Sequence, residues 1–335
     1  MRPPFPLPPR DEAIRVPGIL LLRTDDDDGG DGDAWDDVLE RMGELPGMRP
    51  PGAGGAAEAE ASIPRRLIVA EEPGWGGSTR ATPQEIAAAF DRPGAWIPDL
   101  VVLTDARTGR DAEARPLLAF SGSDGQAFWI TPRQTAMAYL ALHRGLSFTF
   151  DGFAEEAPAE WEDGGELDPE EEDGYEPAGF ALETRTDPPR YTPPAHALPV
   201  LVQDADLLVR TDFGDDAAWA SVVDRVRRGR GAALDVIEDF GEYVTFVDDP
   251  AFAGATPEQV MAQVRPGADP EAMISDTVLI ADAATLREPG HPVRVVPLED
   301  EVGDSFRVDA EVAGIMVVNL ALGNMDLGDW REDDV

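Results

Sequence analysis

The chain contains the same motif twice, and this repeat constrains its architecture more than any other feature. The run Leu20 to Asp25 returns as Leu207 to Asp212, and each copy is followed by acidic residues and a tryptophan, Trp35 or Trp219. A second pair of matching segments follows: Glu71 to Pro73 with Thr82 to Gln84, and Asp248 to Pro250 with Thr256 to Glu258. Repetition at about the length of a domain predicts a tandem duplication.

Strand-type segments alternate with helical segments in the second copy. Short apolar runs predict four strands: Leu207 to Thr211, Val244 to Val247, Thr277 to Ala281 and Val293 to Pro297. The order Thr256, Pro257, Gln259 is typical of a helix start, and Ala310 to Leu320 predicts a later apolar helix. Such alternation implies crossover connections. We therefore predict an α/β fold with two tandem related domains, each a largely parallel sheet flanked by helices.

Composition divides the chain into four segments. The proline-rich start, 1–17, has no apolar stretch of secretory-signal type and predicts a disordered leader. The first copy occupies 18–153 and is divergent, and the second occupies 204–332. Between them, 154–203 begins with many acidic residues and continues with paired prolines, which is typical of a disordered linker.

The composition excludes several classes of chemistry. Cysteine and lysine are absent, which excludes disulfides, thiolate zinc sites, Schiff-base chemistry and a P-loop lysine. The formal net charge of −40 disfavours binding to nucleic acid and favours a basic partner. Every apolar run is too short to span a membrane, so we expect a cytoplasmic protein without a membrane contact.

Acidic residues follow the predicted strands in both copies. They are Asp25, Glu71 and Asp105 in the first copy, and Asp212, Asp248, Asp249 and Asp282 in the second. At the carboxyl ends of parallel strands such carboxylates could share a Mg²⁺ ion. Alternatively, each could cap the following helix or close a turn, which needs only local hydrogen bonds.

An arginine stands one position before the end of each repeated strand motif. Arg23 and Arg210 could bind a phosphate or carboxylate ligand through the two-pronged guanidinium. The alternative is an internal ion pair with a neighbouring strand-end carboxylate, which would let an arginine lie near a buried strand.

Several short motifs of the second copy are shared with a known family. They are Leu208 to Phe213, Asp216 with Trp219, Val247 to Pro250 with Thr256-Pro257, His291 to Val293, and Asn324 to Asp326. In this set the second copy resembles an uncharacterised actinobacterial family, domain of unknown function 6924. The resemblance implies a cytoplasmic bacterial protein and assigns no catalytic residue. The first copy matches in part and has no Asn-Met-Asp motif.

These observations predict a non-enzymatic protein that binds a basic protein partner, as immunity proteins bind basic toxins, and that needs no cofactor. One alternative is a Mg²⁺-dependent hydrolase or phosphotransfer domain that uses Asp212, Asp248, Asp249 and Asp282. Another is a degenerate duplicate, in which the first copy only scaffolds the second.

Overall fold

A computed structural model of the chain forms two compact units. The first unit comprises Met1–Leu142 and Thr149–Arg190, and the second comprises His143–Phe148 and Tyr191–Val335. The structure describes residues 7–10, 15–24, 32–45, 65–71, 85, 88–89, 94–121, 127–142, 148–157, 188–189, 191–192, 194–230, 239–269, 272–299 and 302–331.

The first unit contains a five-stranded sheet with helices packed against it. Its strands are β1 (Gly18–Arg23), β2 (Arg66–Glu71), β3 (Leu100–Thr104), β4 (Leu117–Ser121) and β5 (Ala127–Ile130). Its helices are α1 (Gly32–Met42), α2 (Ala106–Arg110), α3 (Pro132–Ala141) and α4 (Asp151–Glu156). The strand order is β2-β1-β3-β4-β5, and α1 packs against α3.

The second unit has a five-stranded sheet and a separate two-stranded sheet. Its strands are β6 (Leu201–Gln203), β7 (Asp206–Arg210), β8 (Val244–Val247), β9 (Val264–Pro266), β10 (Thr277–Ala281), β11 (Val293–Pro297) and β12 (Phe306–Val308). Its helices are α5 (Asp216–Arg228), α6 (Pro257–Met261), α7 (Ala283–Arg287), α8 (Ala310–Ala321) and α9 (Leu327–Arg331), with short 3-10 turns at Phe240–Glu242 and Pro250–Phe252. The main sheet has the order β8-β7-β10-β11-β12, and β6 pairs with β9.

The α/β class and the four predicted strands of the second copy are confirmed, but the prediction of largely parallel sheets is wrong. In each main sheet three neighbouring strands are parallel, and the remaining two run antiparallel to their neighbours. The reason lies in the connections 105–116 and 282–292, each of which contains only a five-residue helix. Such a helix extends about 7.5 Å, roughly half the length of a five-residue strand. The helix is too short to return the chain to the opposite edge of the sheet. The next strand therefore starts at the edge where the previous one ended and runs antiparallel to it.

The two main sheets share their strand order, their strand directions and a distinctive connection. Asp105 caps α2 and Asp282 caps α7, each in a capping box with the threonine three residues later. That threonine, Thr108 or Thr285, donates its hydroxyl to the carbonyl of the proline before the next strand, at 2.7 Å in both units. The residue before each proline has positive φ: 49° at Arg115 and 54° at His291.

The central strands are buried along their whole length, as continuous apolar strands covered on both faces should be. In the second unit one core cluster lies between the sheet and the pair α5 and α8, and it includes Leu208, Val222, Leu279 and Val317. Among the residues that the structure describes, no helix combines the length and apolar character needed to cross a membrane.

We predict that Thr285→Val will loosen the connection between α7 and β11. Thr285 is fully buried, and its hydroxyl both donates to Pro292 and accepts from the backbone N–H of Asp282 at 3.2 Å. Valine leaves both groups without their partner, which costs about 1–3 kcal/mol. Native-state hydrogen exchange of the 282–296 peptides measures this loss. Thr245→Val, on the exposed face of β8, is the control and should change exchange by less than about 0.5 kcal/mol. Equal effects of the two substitutions would contradict the assignment.

Candidate functional site

The candidate site lies at the carboxyl ends of the three parallel strands of the second unit. Leu208 pairs with Phe246 on one side of β7 and with Leu279 on the other, so β7, β8 and β10 end at the same edge. The sequence places Arg210, Asp248 and Asp282 at or just beyond these ends. In open α/β sheets this edge is where ligands bind.

Arg210 is the central residue of this edge. Its side chain is only 2% exposed and donates three hydrogen bonds: from Nε to the carbonyl of Asp212 at 2.9 Å, from Nη1 to Asp248 Oδ1 at 3.1 Å, and from Nη2 to Asp216 Oδ1 at 2.7 Å. Of the two interpretations offered by the sequence, the structure therefore shows an internal ion pair. The guanidinium is desolvated but compensated, as a buried cation must be.

Two aromatic rings complete the environment of Arg210. The guanidinium carbon lies 4.5 Å from the ring centroid of Phe213 and 5.7 Å from that of Trp219, within the range of cation–π attraction. Trp219 is buried and packs edge-to-face with Phe246 of β8. The tryptophan that follows the repeated motif therefore packs on the arginine at the end of β7.

The charged partners determine the protonation of Arg210. Burial acts to lower the pKa of Arg210, but the hydrogen bonds and charges of Asp216 and Asp248 outweigh it, so the pKa lies above its usual value. The guanidinium is consequently charged throughout the physiological pH range. Its positive charge is a fixed component of the site.

Asp282 combines a capping role with two ion pairs. Its Oδ1 accepts from the backbone N–H of Ala284 and Thr285, while Oδ2 pairs with Arg307 at 2.5 Å and with Arg294 at 3.5 Å. Burial acts to raise the pKa of Asp282. The hydrogen bonds and charges of these partners outweigh this effect, so the pKa lies below its usual value. The carboxylate is therefore ionised and held rigidly.

The other two predicted carboxylates have local partners. Asp249 Oδ1 accepts from the backbone N–H of Ala251 at 2.9 Å and caps the 3-10 turn. Asp212 Oδ1 accepts from the backbone N–H of Gly214 at 2.7 Å, and its Oδ2 lies 3.4 Å from the exposed Arg287. Both arrangements agree with the turn and cap alternative considered from the sequence.

A shallow open pocket of about 450 Å³ lies beside this group. It is lined by Thr211, Asp212, Phe213, Ala253, Gly254, Ala255, Asp282 and Ala283. A backbone hydrogen bond joins two of the segments that line it, because Gly254 N donates to the carbonyl of Thr211 at 2.8 Å. The structure thus brings Asp212 and Asp282 to one pocket, places Asp248 on Arg210 next to it, and directs Asp249 into a turn. Within the described ranges, no three histidine, aspartate or glutamate side chains converge in a way that could hold a metal ion.

The first unit has the same kind of strand end. Arg23 pairs in register with Glu71 of β2 and with Thr104 of β3, and its guanidinium carbon lies 6.0 Å from the Trp35 centroid. Asp105, which follows β3, is buried and accepts from the backbone N–H of Arg107 and Thr108. Glu71 is exposed. Asp25 lies outside the described residues.

Sequence reasoning missed Asp216, Phe213 and the two arginines that bind Asp282 as members of the site. The spacing held a usable signal for Asp216: it is in the first turn of α5, three residues before the tryptophan that packs on Arg210. No comparable local signal marks Arg294 and Arg307, because they arrive from β11 and β12 through antiparallel pairing.

Comparison with known proteins finds a matching family model. The model described as Domain of unknown function (DUF6924) matches residues 205–335, as the shared motifs predict. The match lies within the second unit and does not reach the first. The comparison with curated proteins finds no match.

We predict that Arg210→Ala will destabilise the second unit by about 3 kcal/mol. The substitution removes charge-assisted hydrogen bonds and the aromatic contacts, and it leaves a cavity under Phe213 and Trp219. Hydrogen exchange of β7 and β10 peptides in the full chain measures the change for this unit alone.

Arg287→Ala is the matched control. Arg287 also pairs with an aspartate of the site, but its side chain is 77% exposed, so its removal should cost less than about 0.5 kcal/mol. A similar cost for both substitutions would show that burial of Arg210 has no special weight.

Proposed function

We propose that the protein is a non-enzymatic binding protein that engages a basic protein partner through the carboxyl edge of the second sheet. The observation that carries this proposal is the pair Asp216 and Asp248. Both carboxylates are held by the buried Arg210, and both face solvent, with side chains that are 91% and 50% exposed.

The arrangement leaves each carboxylate able to accept a ligand. Arg210 binds Oδ1 of Asp216 and Oδ1 of Asp248, and the bonds use one oxygen of each carboxylate. The cation is buried, whereas the two anions are at the surface, so the group presents net negative charge to a partner. A guanidinium or ammonium group of the partner could therefore bind the exposed oxygens.

The fixed geometry favours binding. Two carboxylates on flexible side chains would lose conformational freedom when a partner binds, and this cost opposes association. Here Arg210 has already restricted both, and the net charge of −40 adds long-range attraction for a cationic surface. The expected partner is accordingly a protein with an exposed arginine- or lysine-rich face.

The roles of the remaining carboxylates favour binding over the magnesium-dependent alternative. Asp249 and Asp282 accept backbone N–H groups as caps, and Asp282 also pairs with Arg294 and Arg307. A cation that recruited these oxygens would have to displace arginines and break caps.

We further propose that the two units arose by tandem duplication. Their common strand order, the matched capping boxes and the equivalent prolines support a shared origin. A side-chain contact at the positive-φ residue supports it as well: Arg115 Nη1 donates to the Thr108 carbonyl at 3.0 Å, and His291 Nδ1 donates to the Thr285 carbonyl at 2.9 Å.

We predict that Asp216→Asn and Asp248→Asn will each weaken binding of a basic peptide by about fivefold or more. The probe is a peptide of about ten arginines, titrated calorimetrically into the full chain at about 50 and about 300 mM salt. Asparagine retains an acceptor for Arg210 but removes the exposed charge, so the fold should persist and far-UV circular dichroism checks this.

Asp224→Asn is the control, because it removes the same formal charge from α5, the helix that carries Asp216. Asp224 is also exposed, but it pairs with Arg228 one turn away and lies outside the Arg210 group. Equal loss of affinity in all three variants would mean that only net charge matters, and it would overturn the assigned surface.

A further inference from the structure

A buried polar cluster lies at the opposite, amino-terminal edge of the second main sheet. Its members are Gln203, Asp206, Ser275 and Thr277, and each is at most 3% exposed. Asp206 accepts from the Ser275 hydroxyl and from the Ser275 backbone N–H, the latter at 3.3 Å. The Ser275 hydroxyl also bonds the Thr277 hydroxyl at 2.7 Å.

The surroundings of Asp206 supply no positive charge within the described residues. On the β10 side the charged neighbour is Asp276, another acid. On the β8 side the neighbours are the carbonyl of Tyr243, which accepts from Asp206 N at 3.1 Å, and the apolar Val244. From β6 comes the neutral amide of Gln203, and the carboxylate of Asp204 is bonded to Ala268 N instead.

The cluster joins the small sheet to the main sheet. The Gln203 side chain donates from Nε2 to the carbonyls of Ser275 and Thr277 at 3.3 and 3.0 Å. Gln203 is the last residue of β6, which pairs with β9, while Thr277 begins β10. A change in the charge of Asp206 therefore affects the place where β6, β7 and β10 meet.

The first unit shows that this position does not need a carboxyl group. The shared motif aligns Leu20 with Leu207, so Ile19 stands where Asp206 does. Ile19 is the register partner of Leu100, and both are fully buried. The same strand arrangement is thus built with an apolar pair in one unit and an acid among hydroxyls in the other. A buried acid without a cation costs stability when it is ionised, so ionisation of Asp206 opposes the closed arrangement of these strands.

We propose that Asp206 is a proton-binding switch, which closes the amino-terminal edge of the second sheet when its carboxyl is protonated and loosens it when the proton is lost. The neutral acid fits among the hydroxyls of Ser275 and Thr277, whereas the anion is desolvated beside Asp276. The proposal is independent of the binding function assigned to the other edge.

The pH range follows from the titration of Asp206. Burial and the charge of Asp276 raise the pKa of Asp206, the hydrogen bonds from Ser275 lower it, and the net effect is a pKa of about 7. In the unfolded chain an aspartate titrates near about 3.9. Because the folded pKa is the higher one, this stabilisation is complete below about pH 4 and is lost as the pH rises through about 7.

Hydrogen exchange of peptides from 201–209 and 272–280 in the full chain, from about pH 5 to about pH 8, tests the switch. After correction for intrinsic exchange, the opening constant should rise by about tenfold per pH unit up to about pH 7 and then level off. Peptides from β1, which carries Ile19, serve as the internal reference and should show no such rise.

Asp206→Asn should give a flat profile, because the amide has a similar shape and does not titrate. The control Asp204→Asn alters a neighbouring exposed acid and should keep the wild-type profile. A flat wild-type profile, or an equal slope in wild type and Asp206→Asn, would overturn the proposal. If Asp206→Asn does not fold, the pH profile of the wild-type chain still tests the proposal.

Discussion

The guanidinium buried at the end of β7 makes the interactions on which the second unit depends. The Arg210 side chain is almost completely buried, so its charge must be balanced by neighbours that the fold brings to it. Asp216 comes from the first turn of α5, Asp248 from the end of β8, and a carbonyl from the loop after β7. One side chain thus couples a helix, a neighbouring strand and a loop, and it fixes the surface that we assign to binding.

The two units show how one strand arrangement can carry different chemistry at its two edges. The carboxyl edge keeps an arginine beside a tryptophan in both units, with Cζ-to-ring distances of 6.0 and 5.7 Å. The amino edge differs, with Ile19 in one and Asp206 in the other. Ile19 needs only apolar packing, whereas Asp206 needs the surrounding hydroxyl groups as hydrogen-bond partners. Likeness at one edge and difference at the other are what the duplication proposed above would produce if the scaffold were preserved and its sites were not.

Much of the second unit could be predicted from the sequence, because local signals determine it. The strand at Thr277–Ala281 and the capping box at Thr256 depend on apolar runs and on a cap at fixed spacing. The directions of β11 and β12 could not be predicted, since they depend on how far a five-residue helix can carry the chain. The partners of Arg210 and Asp282 could not be predicted from the sequence for a similar reason. Strand-end acids were visible, but which of them would meet an arginine depends on pairing between distant segments.

The most direct test of the central claim is the side-chain NMR of Arg210 in the arginine-labelled full chain. A guanidinium held by two carboxylates and a carbonyl cannot rotate freely about its Nε–Cζ bond, so its Nη–H protons should give separate, slowly exchanging signals. The exposed Arg287 provides the averaged signal for comparison. A single averaged Nη–H signal for Arg210 would contradict the account.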